Sequence, residues 1–278
     1  MLLKEIKELR ALVKGWKREG LSVGFVPTMG ALHEGHESLI KRAVSENDKV
    51  VVSVFVNPTQ FGPNEDYDAY PRDINKDLSL CMNAGAAVVF NPEPSEMYFE
   101  NKSTSVSVSN LTSVLCGAKR PGHFDGVCLV VSKLFNIVTP DRAYFGQKDA
   151  QQVAVLKRMV RDLNVDIEII PCPIIREEDG LAKSSRNTYL SQEERKAALV
   201  LSRSLNLAKK LLEDGERNAA KIKEAMKEEI NKEPLAKIDY IEIVDSDSLE
   251  NVEIIEGSIL VPIAVYIGKT RLIDNFTF

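Results

Sequence analysis

The stretch PTMGALHEGH, residues 27–36, decides the fold of this chain. The residues before it, 21–26, form a short apolar segment that is typical of a buried strand. The residues after it, 37–46, carry apolar side chains at helical spacing. The sequence therefore predicts a strand that turns sharply into a helix.

Two glycines and two histidines give this turn its predicted chemistry. Gly30 and Gly35 allow the backbone to approach a ligand, and the helix N-terminus offers free N–H groups and a positive dipole end to an anion. His33 and His36 fall on one face of the first helical turn. A zinc site is the rival interpretation, but His-x-x-His is not the i, i+4 pair of zinc proteases, and the third histidine, His123, belongs to a distant loop. The pattern favours phosphate binding.

Length and composition limit the class of protein. The chain has 278 residues, of which 44% are hydrophobic and 28% charged, so it can build one large or two modest domains of an ordinary globular protein. The net charge of −5 gives no general electrostatic reason to bind nucleic acid or an anionic membrane. No apolar run approaches the roughly 18 residues that a membrane span needs. An anionic ligand must therefore be held by a local site.

The N-terminal residues and the cysteines indicate a compartment. Residues 1–18 alternate charged and apolar side chains like an amphipathic helix and lack the apolar core of a signal peptide. The four cysteines contain no CxxC pair, so we expect reduced thiols rather than a disulfide framework or a zinc site. These features predict a cytoplasmic protein. The cysteines are Cys81, Cys116, Cys128 and Cys172.

The first part of the chain alternates strand and helix patterns. Residues 49–56 are almost continuously β-branched and apolar, which is typical of a strand buried on both faces of a parallel sheet. Right-handed crossovers then make an α/β, Rossmann-like, doubly wound parallel sheet the expected fold. Further strands are predicted at 86–90, 103–109 (exposed), 142–145 and 166–171, helices at 66–84, 127–138 and 150–163, and a loop at 120–126.

Composition changes near residue 175, where a polar turn precedes a small, basic segment. We therefore predict a Rossmann-like catalytic domain over residues 1–175. A smaller α+β domain over residues 176–278 carries the KSSRN loop at its start. Helices are predicted at 192–214 and 218–232, and strands at 238–244, 259–267 and 271–274.

Polar residues follow several of the predicted strands. Asn57 and Gln60 come directly after the strand at 49–56, and ligands of open parallel sheets bind beyond the carboxyl ends of the strands. We expect them at the same edge as His33 and His36. The KSSR segment, residues 183–186, is equally compatible with a solvated loop, although two hydroxyls between two cations can wrap a triphosphate.

Five segments together resemble the pantoate–β-alanine ligase family, within the HIGH-motif nucleotidyltransferase superfamily that also contains the class I aminoacyl-tRNA synthetases. They cover nearly the whole chain in family order: PTMGALHEGH, FVNPTQFGPNEDYDAYPRD, RPGHFDGV, YFGQKDAQQ and DGLAKSSRN. The resemblance implies condensation of (R)-pantoate with β-alanine at the expense of ATP, through an enzyme-bound pantoyl adenylate, with Mg²⁺ carried mainly by the ATP phosphates. ATP and pantoate would then bind to the domain predicted at 1–175. The resemblance also implies a homodimer without nucleic-acid or membrane partners.

The resemblance also assigns roles to individual residues. Gln60 and Gln152 match pantoate contacts with Asn57 as a neighbour, and Gln60 also borders the β-alanine position. Arg120 and His123 match a loop near the reaction centre. The catalytic assignments are His36, His33, Lys148 and Arg186. ATP binding is assigned to Met29, Gly30, Ala31, Leu32, His33, Glu34, Gly35, His36, Gly146, Gln147, Lys148, Asp149, Ile175, Lys183, Ser184, Ser185 and Arg186.

One residue departs from the family pattern. Many members carry methionine before Ser-Ser-Arg, whereas this chain has Lys183. If this residue uses its backbone, the change matters little. If its side chain packs near the nucleotide, the additional charge alters ATP affinity. Two other functions remain open at this point. One is a related nucleotidyltransferase that stops after pyrophosphate release, and the other is a non-catalytic nucleotide- or RNA-binding module.

Overall fold

The computed structural model describes residues 1–63 and 65–278. The chain divides into two compact units. The first comprises residues 1–147 and 155–173, and the second comprises residues 148–154 and 174–278. Residues 148–154 thus belong to the second unit although they precede the last strand of the first. The functional domains predicted at 1–175 and 176–278 stay a prediction.

The first unit is built on a six-stranded sheet. Its strands are β1 (Leu2–Leu3), β2 (Val23–Thr28), β3 (Lys49–Val54), β4 (Val88–Phe90), β5 (Arg142–Gly146) and β6 (Glu168–Cys172). They run in the order β1-β4-β3-β2-β5-β6, and each adjacent pair is parallel. The chain moves outward from β2 to β4 and then returns to β5 on the other side of β2. The strand order therefore reverses next to β2, where ligands of such sheets bind.

Helices lie on both faces of this sheet. They are α1 (Ile6–Arg18), α2 (Glu34–Glu46), α3 (Ile74–Asn83), α4 (Pro94–Met97), α5 (Leu115–Lys119) and α6 (His123–Val138); α7 (Ala150–Asp162) begins in residues of the second unit and ends in the first. Val26 of β2 packs in one apolar cluster with Ile40 of α2 and Cys81 of α3. The next residue toward the N-terminus, Phe25, contacts Phe135 of α6 with ring centroids 6.4 Å apart. Because successive side chains of a strand point to opposite faces, both faces are covered, which confirms the doubly wound sheet.

The second unit contains a smaller antiparallel sheet. Its strands are β7 (Ala236–Ile241), β8 (Val244–Asp245), β9 (Ile259–Ile267) and β10 (Thr270–Thr277), with β9 paired to each of the other three. Its helices are α8 (Gln192–Ala197), α9 (Leu199–Glu213) and α10 (Ala219–Asn231). Leu205 of α9, Ile222 of α10 and Val261 of β9 share one buried cluster. The α+β character predicted for this part is confirmed.

Four local predictions differ from the structure. Helix α3 begins only at Ile74, because Asp73 caps it by accepting a hydrogen bond from the Lys76 N–H group at 3.1 Å. The exposed strand predicted at 103–109 is wrong, since these residues form no strand. The helix predicted at 192–214 is two helices that meet at Ala198. The loop predicted at 120–126 is partly helical, since α6 already begins at His123.

Two findings bear on the predicted class of protein. All four cysteines lie among the described residues and form no disulfide with one another. Burial raises the pKa of Cys81 and of Cys128 to about 12, so these two thiols stay protonated at neutral pH. Within the part of the chain that the structure describes, no helix is both long and apolar enough to cross a membrane.

Candidate active site

The turn between β2 and α2 carries the two histidines of the HEGH motif. Thr28 ends β2, donates its hydroxyl to the Ser53 carbonyl oxygen at 2.7 Å and accepts from the Gly30 N–H group at 3.3 Å. Gly30 has a φ of 87°, in the left-handed region that glycine adopts easily. Ala31 follows with a φ of 51°, which is unfavourable for a residue with a Cβ atom. Tertiary contacts must therefore hold the turn in place.

The two histidines form a capping box at the start of α2. Nδ1 of His33 accepts from the Gly35 N–H group at 3.1 Å, and Nδ1 of His36 accepts from the His33 N–H group at 3.3 Å. Because an N–H group can only donate, the proton of each neutral imidazole lies on Nε2. The ring centroids are 4.2 Å apart. The sequence prediction that these two imidazoles lie together is confirmed, and each neutral ring is an N–H donor at Nε2.

The prediction that this turn offers free backbone N–H groups is wrong in part. Ala31 and Leu32 donate their N–H groups to the carboxylate of Asp77 at 3.0 and 2.8 Å, and those of His33 and Gly35 bond to the imidazoles. The sequence could not show this, because Asp77 lies 45 or more residues away along the chain. The donors of this turn therefore include side chains as well as backbone groups, among them the histidine Nε2–H groups.

Asn57 organises the loop that follows β3. It is 1% exposed and precedes a short 3₁₀ helix, Pro58–Gln60. Its Oδ1 accepts from the Tyr98 hydroxyl at 2.7 Å and from the Thr59 hydroxyl at 3.0 Å. Its Nδ2 donates to Gln60 Oε1 at 3.0 Å and to the carbonyl oxygen of Gly126 at 3.1 Å. These bonds fix the loop and orient the Gln60 amide.

Gln60 connects this loop with the HEGH turn. Its Nε2 donates to Met29 Sδ at 2.9 Å, and Met29 directly precedes Gly30. Gln60 is 8% exposed, so its amide is already ordered by partners within the first unit. The predicted proximity of the segment after β3 to the segment after β2 is thus confirmed.

Arg120, directly after α5, and His123, the first residue of α6, contact the same loop. Nδ1 of His123 donates to the Gln60 carbonyl oxygen at 2.8 Å, and Arg120 Nη1 donates to His123 Nε2 at 3.0 Å. Arg120 also donates to Glu65 through two nitrogens, Nε at 2.6 Å and Nη2 at 2.5 Å. Burial by itself would raise the pKa of Glu65, but the hydrogen bonds and the charge of Arg120 bring it below its ordinary value. Glu65 therefore stays ionised at neutral pH.

Three supporting residues were missed by the sequence prediction. A Cβ atom on Gly126 would lie 2.2 Å from the Thr59 carbonyl oxygen, so only glycine allows α6 to approach the loop this closely. Burial raises the pKa of Tyr98, which keeps its hydroxyl a donor to Asn57. Gly126 and Glu65 lie inside the quoted motifs RPGHFDGV and FVNPTQFGPNEDYDAYPRD, which was the available signal, whereas Tyr98 lies in none.

The predicted ATP segment after β5 crosses the boundary between the units. Gly146 ends β5 and pairs with Cys172 of β6, within the first unit. Lys148 belongs to the second unit, where its carbonyl oxygen accepts from Nδ2 of Asn275 at 2.8 Å. Asp149 is exposed, and Gln152 is half-buried in α7. Their predicted roles stay predictions.

The KSSR turn, residues 183–186, lies in the second unit. Lys183 donates its N–H group to the Ile175 carbonyl oxygen at 2.9 Å, and its Nζ lies 3.1 Å from Glu177 Oε2. Ser184 Oγ accepts from the Arg186 N–H group at 3.3 Å, at the start of a 3₁₀ helix, Ser185–Tyr189. The charge that distinguishes Lys183 from methionine is therefore directed to Glu177.

Comparisons with known proteins extend over the whole chain. A family profile described as pantoate-beta-alanine ligase matches residues 1–277. A pantothenate synthetase of Clostridioides difficile is 69% identical over 278 residues, which cover 100% of this chain and 99% of that protein. A pantothenate synthetase of Enterococcus faecalis is 64% identical over the same length, with the same coverage.

Solved structures show the same similarity. The crystal structure of a pantothenate synthetase from Thermus thermophilus has a TM-score of 0.93 at 46% identity and covers 99% of this chain and 98% of that one. A pantoate-beta-alanine ligase from Francisella tularensis, complexed with beta-gamma ATP and beta-alanine, has a TM-score of 0.80 at 36% identity. It covers 99% of this chain and 97% of that one.

Proposed function

Because the chain belongs to the pantoate–β-alanine ligase family, we propose that it joins (R)-pantoate to β-alanine and releases pantothenate, AMP and diphosphate. In the first step the pantoate carboxylate attacks the α-phosphorus of ATP, and diphosphate leaves with the electron pair of the broken P–O bond. In the second step the amine of β-alanine attacks the carbonyl carbon of the pantoyl adenylate, loses a proton, and expels AMP. The observation that carries this proposal is the family match over residues 1–277.

The HEGH turn supplies the chemistry that the first step requires. Two anions, a carboxylate and a triphosphate, must approach each other, so donors that are ordered beforehand lower the barrier most. We assign the Nε2–H groups of His33 and His36 to phosphate oxygens near the reacting phosphorus. The capping bonds at Nδ1 support this assignment because they fix which ring nitrogen carries the proton.

Gln60 is the proposed partner of pantoate, together with Gln152 and with Asn57 as the neighbour that orients Gln60. A neutral amide can hold a hydroxyl or a carboxylate without reducing its nucleophilicity as an ion pair does. Binding of pantoate would replace the present partners of the Gln60 amide, Met29 and Asn57. We also assign Gln60 to the β-alanine position.

The remaining assignments rest on the family resemblance. Lys148 and Arg186 are proposed contacts of phosphate oxygens, and Ser184 and Ser185 of the β,γ end of ATP. The remaining members of the predicted ATP set keep that proposed role. Arg120 and His123 are proposed to border the reaction centre, which the bond from His123 to the Gln60 carbonyl oxygen supports.

The residues that the structure describes do not form a protein cage for a metal ion. Among residues 1–63 and 65–278 there is no group of three or more His, Cys, Asp or Glu side chains placed to hold a metal. Mg²⁺ usually keeps several waters and binds through substrate phosphates. We therefore propose that Mg²⁺ arrives on the ATP phosphates. We further propose a homodimer that works in the cytoplasm, with the assembly measurable by sedimentation equilibrium.

One assay tests the reaction. The purified chain is incubated with ATP, Mg²⁺, pantoate and β-alanine, and pantothenate and AMP are measured by mass spectrometry, with each substrate omitted in turn. We expect equal amounts of both products, only when all substrates are present. Release of diphosphate without AMP would instead indicate a nucleotidyltransferase that stops after the first step. Nucleotide or RNA binding without turnover would indicate a binding module.

A further inference from the structure

Asp77 is a buried carboxylate beneath the HEGH turn. It lies in the first turn of α3 and is 2% exposed. Its Oδ1 accepts from the Leu32 N–H group at 2.8 Å, and its Oδ2 accepts from the Ala31 N–H group at 3.0 Å. Both carboxylate oxygens are thus bonded to the backbone that connects β2 with α2.

The backbone at Gly30 and Ala31 has a conformation that favours an anionic partner. Gly30 and Ala31 both have positive φ angles, 87° and 51°. Turns of this kind direct successive N–H groups toward one side and create a concavity that suits an anion. Here the anion is the Asp77 side chain. The packing is close, since a Cβ atom on Gly30 would lie 2.9 Å from Asp77 Oδ2.

The arrangement is costly if stability is its only purpose. Burial raises the pKa of Asp77, although the N–H groups of Leu32 and Ala31 favour the ionised form. On its own helix, Asp73 opposes the negative charge and Lys76 favours it. The first turn of α3 adds a positive dipole end. The two N–H bonds to Asp77 thus offset part of the cost of burying its charge.

The bonds of Asp77 to the turn also affect the two histidines. Leu32 immediately precedes His33, the N-cap residue whose N–H group bonds to the ring of His36. If Leu32 rotates, the His33 N–H group moves and the capping box that fixes both imidazoles is disturbed. We propose that Asp77 is a positioning residue for the reaction, which holds Ala31 and Leu32 so that the Nε2–H groups of His33 and His36 face the phosphates. This inference rests on the proposed function.

Asp77→Asn is the decisive variant. It keeps the volume of the side chain and one carbonyl acceptor, but it places an NH₂ donor against one of the two N–H groups. We expect diphosphate release to fall about 10- to 100-fold, in the range seen when a preorganised donor is misplaced, while the KM for pantoate changes by less than about twofold.

A matched control separates positioning from general stability. Asp141 accepts from the Val23 N–H group at 2.6 Å, at the opposite end of β2 from the HEGH turn. Asp141→Asn perturbs a carboxylate–backbone bond at the other end of β2, together with the ion pair between Asp141 and Lys17. We expect it to lower the melting temperature at least as much as Asp77→Asn, with a kcat within about twofold of the unsubstituted chain.

A second measurement does not depend on the reaction. The chain has three histidines, so ring ¹⁵N signals of labelled protein can be assigned individually. We expect His33 and His36 to show the Nε2-protonated tautomer in the unsubstituted protein, and a mixture of tautomers in Asp77→Asn but not in Asp141→Asn. If the chain made no diphosphate at all, the proposed function would fail while this measurement still tested the positioning.

Unchanged histidine signals together with unchanged diphosphate release in folded Asp77→Asn would overturn the proposal. Equal losses of kcat in Asp77→Asn and Asp141→Asn would also overturn it, since both would then report stability alone. If Asp77→Asn does not fold, Gly30→Ala perturbs the same contact from the turn, because its Cβ atom approaches Asp77 Oδ2. Unaltered histidine tautomers in Gly30→Ala would then contradict the proposal.

Discussion

The HEGH turn of the first unit and the KSSR turn of the second differ in how they are held. In the HEGH turn, the buried carboxylate of Asp77 accepts from two N–H groups, and the half-buried imidazoles accept from two more. In the KSSR turn, the contacts described above join half-buried neighbours, above all Lys183 with Glu177 and Ser184 with Arg186. The first arrangement includes a partner at least 45 residues away, Asp77, whereas the KSSR contacts named here join residues within about ten positions of each other.

This difference indicates that the two turns contribute to the reaction in different ways. Transition-state stabilisation benefits from donors that are already in place, because no reorganisation is then needed during the reaction. A segment held by local and partly exposed contacts rearranges at a smaller cost. We therefore expect substitutions in or near the HEGH turn to change the chemical step, and substitution of Lys183 in the KSSR turn to act mainly on nucleotide affinity.

The largest expected effect is that of His36→Ala. The substitution removes the proposed phosphate donor and also the acceptor of the His33 N–H group. Diphosphate release should fall by about 100-fold or more, as it does when one preorganised donor is lost. Lys41→Ala, which removes an exposed side chain of the same helix, is the control and should keep nearly full activity. A near-normal rate in His36→Ala would rule out this role.

Gln60→Ala should affect substrate binding rather than the nucleotide. Loss of a hydrogen bond to a charged ligand is worth about 1.5–3 kcal/mol, so the KM for pantoate should rise about 10-fold or more. The Kd for ATP, measured by calorimetric titration, should change little. Asn136→Ala removes an exposed amide of α6 and serves as the control. Equal losses for pantoate and ATP would contradict the assignment.

Glu65→Gln tests whether the charge of Glu65 stabilises the Asn57–Gln60 loop. The readout is the pH dependence of the free energy of unfolding. The pKa of Glu65 is lowered in the folded protein, so its contribution to stability is present above the ordinary pKa of about 4.3 and is lost as the pH falls through the lower folded value. With a side chain that is 25% exposed, we expect a loss of about 1 kcal/mol at pH 7. Urea unfolding should show this difference shrink below about pH 4. A difference that is constant with pH would show that the charge is not its cause.

The smallest expected effect is that of Lys183→Met. It installs the residue that many family members carry and removes an ion pair whose side chains are 20% and 29% exposed. Such pairs contribute about 0–1 kcal/mol, so the KM for ATP should change less than about fivefold. Glu177→Gln removes the same pair from the other side. A much larger effect in Lys183→Met than in Glu177→Gln would show that the lysine itself contacts the nucleotide.

Much of the fold could be predicted from local patterns. Continuous apolar runs such as that of β3 indicated buried parallel strands, and their alternation with helical periodicity indicated the doubly wound sheet. The predictions failed where local patterns compete with tertiary structure. The alternating residues 103–109 resemble a strand but pair with none, and residues 66–73 are charged without joining α3.

The sequence by itself determined the family, the strand–helix order around PTMGALHEGH and the positions of the polar loops, because motifs and periodicity are local properties of the chain. Tertiary structure alone decided which groups meet. Asp77 accepts hydrogen bonds from the N–H groups of Leu32 and Ala31, and Asn57 accepts one from the hydroxyl of Tyr98, 41 residues away. Hydrogen-bond partners at such distances depend on how helices pack on the sheet, and no spacing rule encodes that packing. The HEGH turn was therefore visible in the sequence, whereas the carboxylate that holds it was not.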